Sequence, residues 1–162
     1  PSQAKRLAAL GGGASVNPYF VHYRGLLQSE VGYGPDRAEA TARLGSLEAA
    51  GAHFCIHSDY NLVVVPMAPL TGAWIAINRL AEDNKTVMAP GERISLDRAL
   101  RAITIDAAFT LRRDHEIGSL EAGKLADMAI LQEDPYEVQG QALRDIKVTG
   151  TICGGIVHLN DD

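Results

Sequence analysis

The stretch GAHFCIHSDYN, Gly51 to Asn61, decides how the rest of the chain is read. As a strand it alternates: Ala52, Phe54 and Ile56 fall on one face, and His53, Cys55, His57 and Asp59 on the other. Two imidazoles, a thiol and a carboxylate each need a partner once buried. Such a face either looks into a polar chemical site or is an accident of a short window, and the flanking segments choose between the two.

Upstream, Ser2 is placed to cap a short helix through Leu10, and Gly11-Gly12-Gly13 stops it. Ala14 to Asn17 then reads as a short strand, with Ala14 and Val16 on one face, Ser15 and Asn17 on the other, and Pro18 closing it. Tyr19 to Pro35 carries a weak signal: Tyr19, Phe20, Tyr23, Leu26 and Leu27 suit an irregular helix, and Gly32 and Gly34 mark a loop. Asp36 to Ala50 is alanine-rich with helical spacing, with a break expected near Gly45-Ser46. Helix, strand, helix, strand is the order of parallel strands with helices packed outside them.

Downstream, Tyr60 to Leu70 reads as a loop, with Pro66 and Pro69 limiting any strand at Val63-Val64-Val65. Thr71 to Leu80 is expected to be helical, with Trp74, Ile75, Ile77 and Leu80 placed for burial. Ala81 to Glu92 is a polar loop, and Ser95 is an N-cap for a helix running to about Ile103, followed by a second helical segment from Ile105 to Leu111. After that the character changes. Asp127 to Leu131 is a compact apolar strand, and Ile146 to Cys153 and Ile156 to Leu159 are strands joined by Gly154-Gly155, which suits a type I′ or II′ hairpin. The reading places a boundary near residue 115, with an α/β segment over 1–115 and a β-rich segment over 116–162.

Bulk properties narrow the function. A chain of 162 residues is long enough for an ordinary core, and 46% hydrophobic with 22% charged residues is the balance of a soluble globular protein. The net charge of −5, with Lys and Arg scattered, argues against nucleic acid, which demands a basic patch. No apolar run is long enough for a spanning helix, so no membrane role is expected. Two distant cysteines, Cys55 and Cys153, suggest neither a disulfide framework nor a zinc knuckle, and a cytoplasmic setting is the default. The opening Pro1-Ser2-Gln3, running straight into a helix, reads like the middle of a longer polypeptide.

The run from Ile117-Gly118-Ser119-Leu120 through Glu121-Ala122-Gly123-Lys124-Leu125-Ala126-Asp127 to Leu131, followed by Asp134-Pro135, resembles the C-terminal signature of the amidohydrolase superfamily. Ser95 to Thr104 with Asp106-Ala107-Ala108 is similar to the helical segment before that signature, and Val148 to Thr151 with Gly154 to Val157 to the closing hairpin. Within the superfamily, the chain is most similar to N-substituted formamide deformylases and related amide hydrolases. The resemblance implies the C-terminal part of a (β/α)8 barrel, about two parallel strands with outer helices. To this it adds a small β-rich part of a flanking sandwich built from both chain ends. It implies a divalent metal, zinc foremost, and a small amide-like substrate cleaved at a non-peptide C–N bond by metal-activated water.

By position, His57-Ser58-Asp59 corresponds to the end of the family's last barrel strand, where an aspartate touches the metal and takes a proton from the attacking water. Asp59 is therefore the expected catalytic residue and metal ligand. His57, two residues earlier, is a candidate metal ligand or substrate contact, its alternative being an imidazole hydrogen-bonded inside the barrel. Asn17 at the end of the preceding strand is a candidate substrate contact together with Tyr19 or His22, its alternative being a turn-forming Asn before Pro18. His53 and Cys55 are expected to be interior packing, Met67 and Trp74 pocket mouth or core, and His115 and His158 surface residues. Gly118, Gly123 and Lys124 identify the family without naming a chemical group.

The chain contains no His-x-His, the pair the family carries on its first strand. The resemblance thus implies that the remaining ligands lie in an N-terminal barrel segment upstream of Pro1. Two functions follow: the C-terminal part of a metal-dependent amidohydrolase, or a truncated non-catalytic module acting in binding or regulation. In either case an open sheet edge calls for self-association as a homo-oligomer or pairing with the separate N-terminal half.

Overall fold

A computed structural model describes residues 2–60, 65–138, 140 and 142–160. Helix α1 (Ser2–Ala9) ends at Gly11, whose φ of 64° needs a residue without Cβ, and the chain turns into strand β1 (Gly13–Val16). Helix α2 (Tyr19–Leu27) is regular where the sequence suggested an irregular one, because one face finds the core: Tyr19 and Val21 are buried in it. It widens into a π turn over Gln28–Gly32.

The alanine-rich stretch forms two short helices, α3 (Pro35–Glu39) and α4 (Leu44–Ala49). The break falls before Gly45, at Ala42, which takes a left-handed φ of 49°. The cause is tertiary. The guanidinium of Arg79 donates to the carbonyls of Ala42 at 2.8 Å and Thr41 at 3.0 Å, holding them turned out of helical alignment. Gly45 itself is helical, and Gly91 O would lie 2.7 Å from a Cβ there, so close approach rather than helix breaking selects a glycine.

Strand β2 (His53–Ile56) pairs parallel with β1 in the register Gly13↔His53 through Val16↔Ile56. The expected parallel pair with outer helices is thus formed. Helix α5 (Pro69–Asn78) starts and stops two residues earlier than expected, since Arg79 adopts a left-handed φ of 51° and caps it. Val65 is buried; Val63 and Val64 of the limited strand expected there lie outside the described residues. The polar loop after α5 is tied back by a bridge between Leu80 and Val87.

Helix α6 (Leu96–Ala102) begins as expected at Ser95, whose hydroxyl accepts from the Arg98 amide at 3.1 Å. Helix α7 (Ile105–Thr110) follows, joined to α6 by the Arg98–Asp106 ion pair, and the same guanidinium sits 3.7 Å over the Phe54 ring of β2.

Strands β3 (Met128–Leu131), β4 (Val148–Cys153) and β5 (Ile156–Leu159) form an antiparallel sheet in the order β3-β4-β5. Gly154 and Gly155, at φ 56° and 83°, make the expected two-residue hairpin. Ile146 precedes β4 instead of belonging to it, and packs with Leu143 into the same core as Phe54, Trp74 and Ile75. Each such buried side chain contributes roughly 1.5–3 kcal/mol. The fold is therefore α/β: the C-terminal part of a (β/α)8 barrel, two parallel strands with outer helices, followed by a small antiparallel sheet.

Candidate active site at the rim of the parallel pair

The C-terminal ends of β1 and β2 are held together beyond the strands themselves. The His57 amide donates to Val16 O at 3.0 Å, extending the ladder by one rung. Asn17 then uses both halves of its side-chain amide: Nδ2 donates to Ser58 O at 3.2 Å, and Oδ1 accepts from the Tyr19 amide at 3.0 Å. The second bond occupies a free N–H at the start of α2. Asn17 therefore sits at the rim, as expected, with its amide bonded to the protein on both sides.

β2 ends at Ile56, so the strand alternation that paired His57 with Asp59 stops there. Asp59 takes a left-handed φ of 54°, a conformation that Asp tolerates better than most residues, and stands exposed on the turn. His57 and Ser58 are half-buried and line a cavity of about 220 Å³ between the end of β2 and the start of α5. Its other walls are Ile56, Ile103, Gly72 and the ring of Tyr19. The Tyr19 hydroxyl donates to Ala68 O at 2.7 Å, and burial pushes the phenol up to about 12, with Tyr23 adding to the shift. This phenol is a fixed neutral wall at any working pH.

Several expectations for neighbouring residues change. Cys55 is buried, with its thiol 3.6 Å from the Ser15 hydroxyl, but His53 is exposed instead of packed inside. Its ring stacks on Phe109 of α7 at 4.2 Å, which covers one face and leaves the other to solvent. Met67 lines the cavity mouth at 73% exposure, whereas Trp74 is core. His22 lies away from the rim: it is buried, with Nδ1 2.8 Å from Leu80 O and its ring edge-on to Trp74. His115 and His158 are exposed, as expected. Ser58 is marked in the sequence only as the middle of His57-Ser58-Asp59, and nothing there points to Ile103 as a wall of the cavity. Gly72 did carry a signal, an isolated glycine in an apolar helical pattern, and a Cβ there would meet Ile56 Cγ2 at 2.9 Å.

The donor types at the rim suit a divalent cation, with Asp59 offering carboxylate oxygens and His57 an imidazole. Among the described residues, however, no three His, Cys, Asp or Glu side chains come together. A zinc centre open for catalysis takes three protein ligands. The described rim residues therefore offer at most part of such a shell.

A carboxylate just past the C-terminal end of a parallel strand stands where barrel-type α/β enzymes build their sites. The chain belongs to the Amidohydrolase family, whose pattern it matches over residues 1–158. It is 29% identical over 164 residues to the N-substituted formamide deformylase of Arthrobacter pascens, covering 96% of this chain and 28% of that protein. Among solved structures, an uncharacterised metal-dependent hydrolase from Pyrococcus horikoshii superposes with a TM-score of 0.70 at 22% identity, over 86% of this chain and 28% of that one. An adenosine deaminase from Xanthomonas campestris with bound zinc does so at 0.65 and 20% identity, over 100% of this chain and 36% of that one. The chain therefore spans about a third or less of the relatives it matches.

Proposed function

We propose that this chain forms one wall of the catalytic centre of a metal-dependent hydrolase that cleaves a non-peptide C–N bond in a small amide-like substrate. The observation that carries the reading is the placement of Asp59, exposed on a left-handed turn three residues past Ile56, where β2 ends. The family membership and a relative whose name states a deformylase support the same chemistry. Asp59 would hold a divalent metal, zinc foremost, and accept the proton of the attacking water; His57 at the cavity mouth is its nearest candidate companion. The metal, when bound, supplies Lewis acidity and an activated water. The chain's own residues orient the substrate beside Asp59 and shield it from bulk solvent on the side of α5.

Full activity on this reading needs the family's remaining ligands, from an N-terminal segment of the same polypeptide or from a second chain. Replacing Asp59→Asn in the full-length protein lowers turnover by about 10²–10⁴-fold or more, the usual loss for a positioned acid or base. The variant melts within about 0.5 kcal/mol of the parent, as exposed substitutions do. Steady-state rates and elemental analysis of bound metal check this, and near-normal turnover would sink the assignment.

A second reading is favoured by one observation, the lack of a three-ligand cluster among the described residues. On it the chain is a non-catalytic module that self-associates or pairs with a separate half. Stoichiometric metal together with hydrolysis in the purified full-length protein rules that reading out.

A further inference from the structure

Residues 17–19, between β1 and α2, bond to both ends of the connection from β2 to α5, which carries Asp59. Asn17 Nδ2 donates to Ser58 O at 3.2 Å, one residue before Asp59, and the Tyr19 hydroxyl donates to Ala68 O at 2.7 Å, one residue before α5 begins. The two donors are coupled, because Asn17 Oδ1 accepts from the Tyr19 amide at 3.0 Å. Pro18 between them is fully buried, and its ring holds φ at −74°. The first turn of α5 also rests on the end of β2. A Cβ on Gly72 would lie 2.9 Å from Ile56 Cγ2 and 3.3 Å from the Tyr19 ring, so α5 meets Tyr19 and the last residue of β2 at once.

Stability does not account for the Tyr19 hydroxyl. Ala68 O already accepts from the Thr71 and Gly72 amides at 2.9 Å and 3.3 Å, so the carbonyl is satisfied without a third donor. A phenylalanine would bury the same ring, here 2% exposed, with no polar atom to satisfy. What the hydroxyl adds is direction, since it fixes the start of α5 against the exit of β2. We propose that Tyr19 is a positioning residue for Asp59, acting with Asn17 to tie both ends of the connection that carries the carboxylate to one rigid turn. The proposal rests on the reading of Asp59 as the reacting group. Burial, with Tyr23 adding to it, pushes the phenol up to about 12, so the donor is present at every working pH and takes no part in proton transfer.

The test is Tyr19→Phe in the full-length protein, which keeps the ring and removes the bond to Ala68 O. With aspartates 15N-labelled, the order parameter of the Asp59 amide is expected near about 0.85 in the parent and below about 0.6 in the variant. The melting temperature falls by no more than about 4 °C, the cost of one neutral hydrogen bond. Gly72→Ala reaches the same contact from α5, wedging a methyl against Tyr19 and Ile56, and loosens Asp59 likewise, although alanine favours the helix itself. Hydrolysis of N-butylformamide, a member of the class in the name of the formamide deformylase relative, is read alongside. In Tyr19→Phe kcat drops about 10- to 100-fold, KM stays within about twofold, and the pH profile keeps its limbs while losing height. An Asp59 amide that stays equally ordered in folded Tyr19→Phe and Gly72→Ala overturns the proposal, and so does a loosened Asp59 with unchanged kcat. Turnover lost in Asp59→Asn while Tyr19→Phe leaves Asp59 ordered removes the positioning role and keeps the reading of Asp59. Normal turnover in Asp59→Asn removes that reading and the positioning role with it, even where Tyr19→Phe loosens the turn.

Discussion

The rim at Asn17, His57 and Asp59 and the knot around Arg79 and Glu92 use the same kinds of side chain in opposite ways. In the knot the charges are buried and engaged. Arg79 is 1% exposed and donates to the carbonyls of Met88, Ala42 and Thr41, and Glu92 accepts from the Ser46 amide at 2.7 Å, the Ser46 hydroxyl and Arg43 Nε. Burial pulls the Arg79 guanidinium down to about 10, against the attraction of Glu92 and Glu39, so it stays cationic near neutrality. At the rim the carboxylate of Asp59 is exposed, one residue past Ser58 of the cavity wall. A charge that organises backbone is spent on the fold, and a charge held out to solvent at a strand end is free for chemistry. That contrast, more than residue type, separates the structural Arg and Glu from the Asp proposed for chemistry.

The sharpest way to break the comparison within the fold is Arg79→Met. It takes the Arg79 donor from the carbonyls of Met88 and Thr41 and one of two donors from Ala42 O, which keeps the Leu44 amide, and hydrogen bonds to a charged group contribute roughly 1.5–3 kcal/mol each net, so a loss of about 3 kcal/mol or more is expected. Denaturant unfolding reads this as a lower midpoint at an unchanged slope. The rim should not notice, provided the variant is folded: any metal binding at Asp59 stays within about twofold. A fall in both together would mean that the knot and the rim are one unit.

Much of the frame was legible in the sequence because it depends on neighbours in the chain. The glycine stop at Gly11, the Ser95 cap and the Gly154-Gly155 hairpin act over a few residues, and the structure shows each of them. Asp59 was singled out by the resemblance of His57-Ser58-Asp59 to the family's strand end, local alternation only placing it on the face of His53, Cys55 and His57. The knot could not be read, because Arg79 reaches carbonyls some 40 residues away, and it is this reach that moved the helix break from Gly45 to Ala42. The exposure of His53 also depended on a distant partner, Phe109. The cavity has walls from α2, β2, α5 and the end of α6, so no local pattern could announce it.

A smaller effect is expected at Glu92 and has a definite pH signature. Desolvation works to raise its pKa, but the Ser46 hydroxyl and amide and the Arg43 guanidinium outweigh it and hold the carboxyl below its ordinary 4.5. A depressed folded-state pKa stabilises the protein above the unfolded value, and that share is lost as pH falls through the folded one. In Glu92→Gln this pH-dependent share is absent, so the stability gap to the parent is widest near neutrality and closes on acidification below 4.5. Thermal melts between pH 7 and 3 check it; a gap that stays constant with pH would show that Glu92 contributes by packing and not by its charge.

The least effect on stability, and the most informative on the rim, is expected at Asn17. Asn17→Ala removes the bond to Ser58 O and the acceptor for the Tyr19 amide, together worth about 1–2 kcal/mol. Asn17→Asp separates the two. It keeps an acceptor for the start of α2, where negative charge is favourable, and replaces the donor to Ser58 O with an oxygen that repels it. Thermal stability should therefore recover most of the way in Asn17→Asp, while amide exchange at Ser58 and Asp59 stays faster than in the parent. If exchange recovers along with stability, Asn17 serves α2 alone, and the turn that presents Asp59 is held by the β1–β2 ladder through the His57 amide.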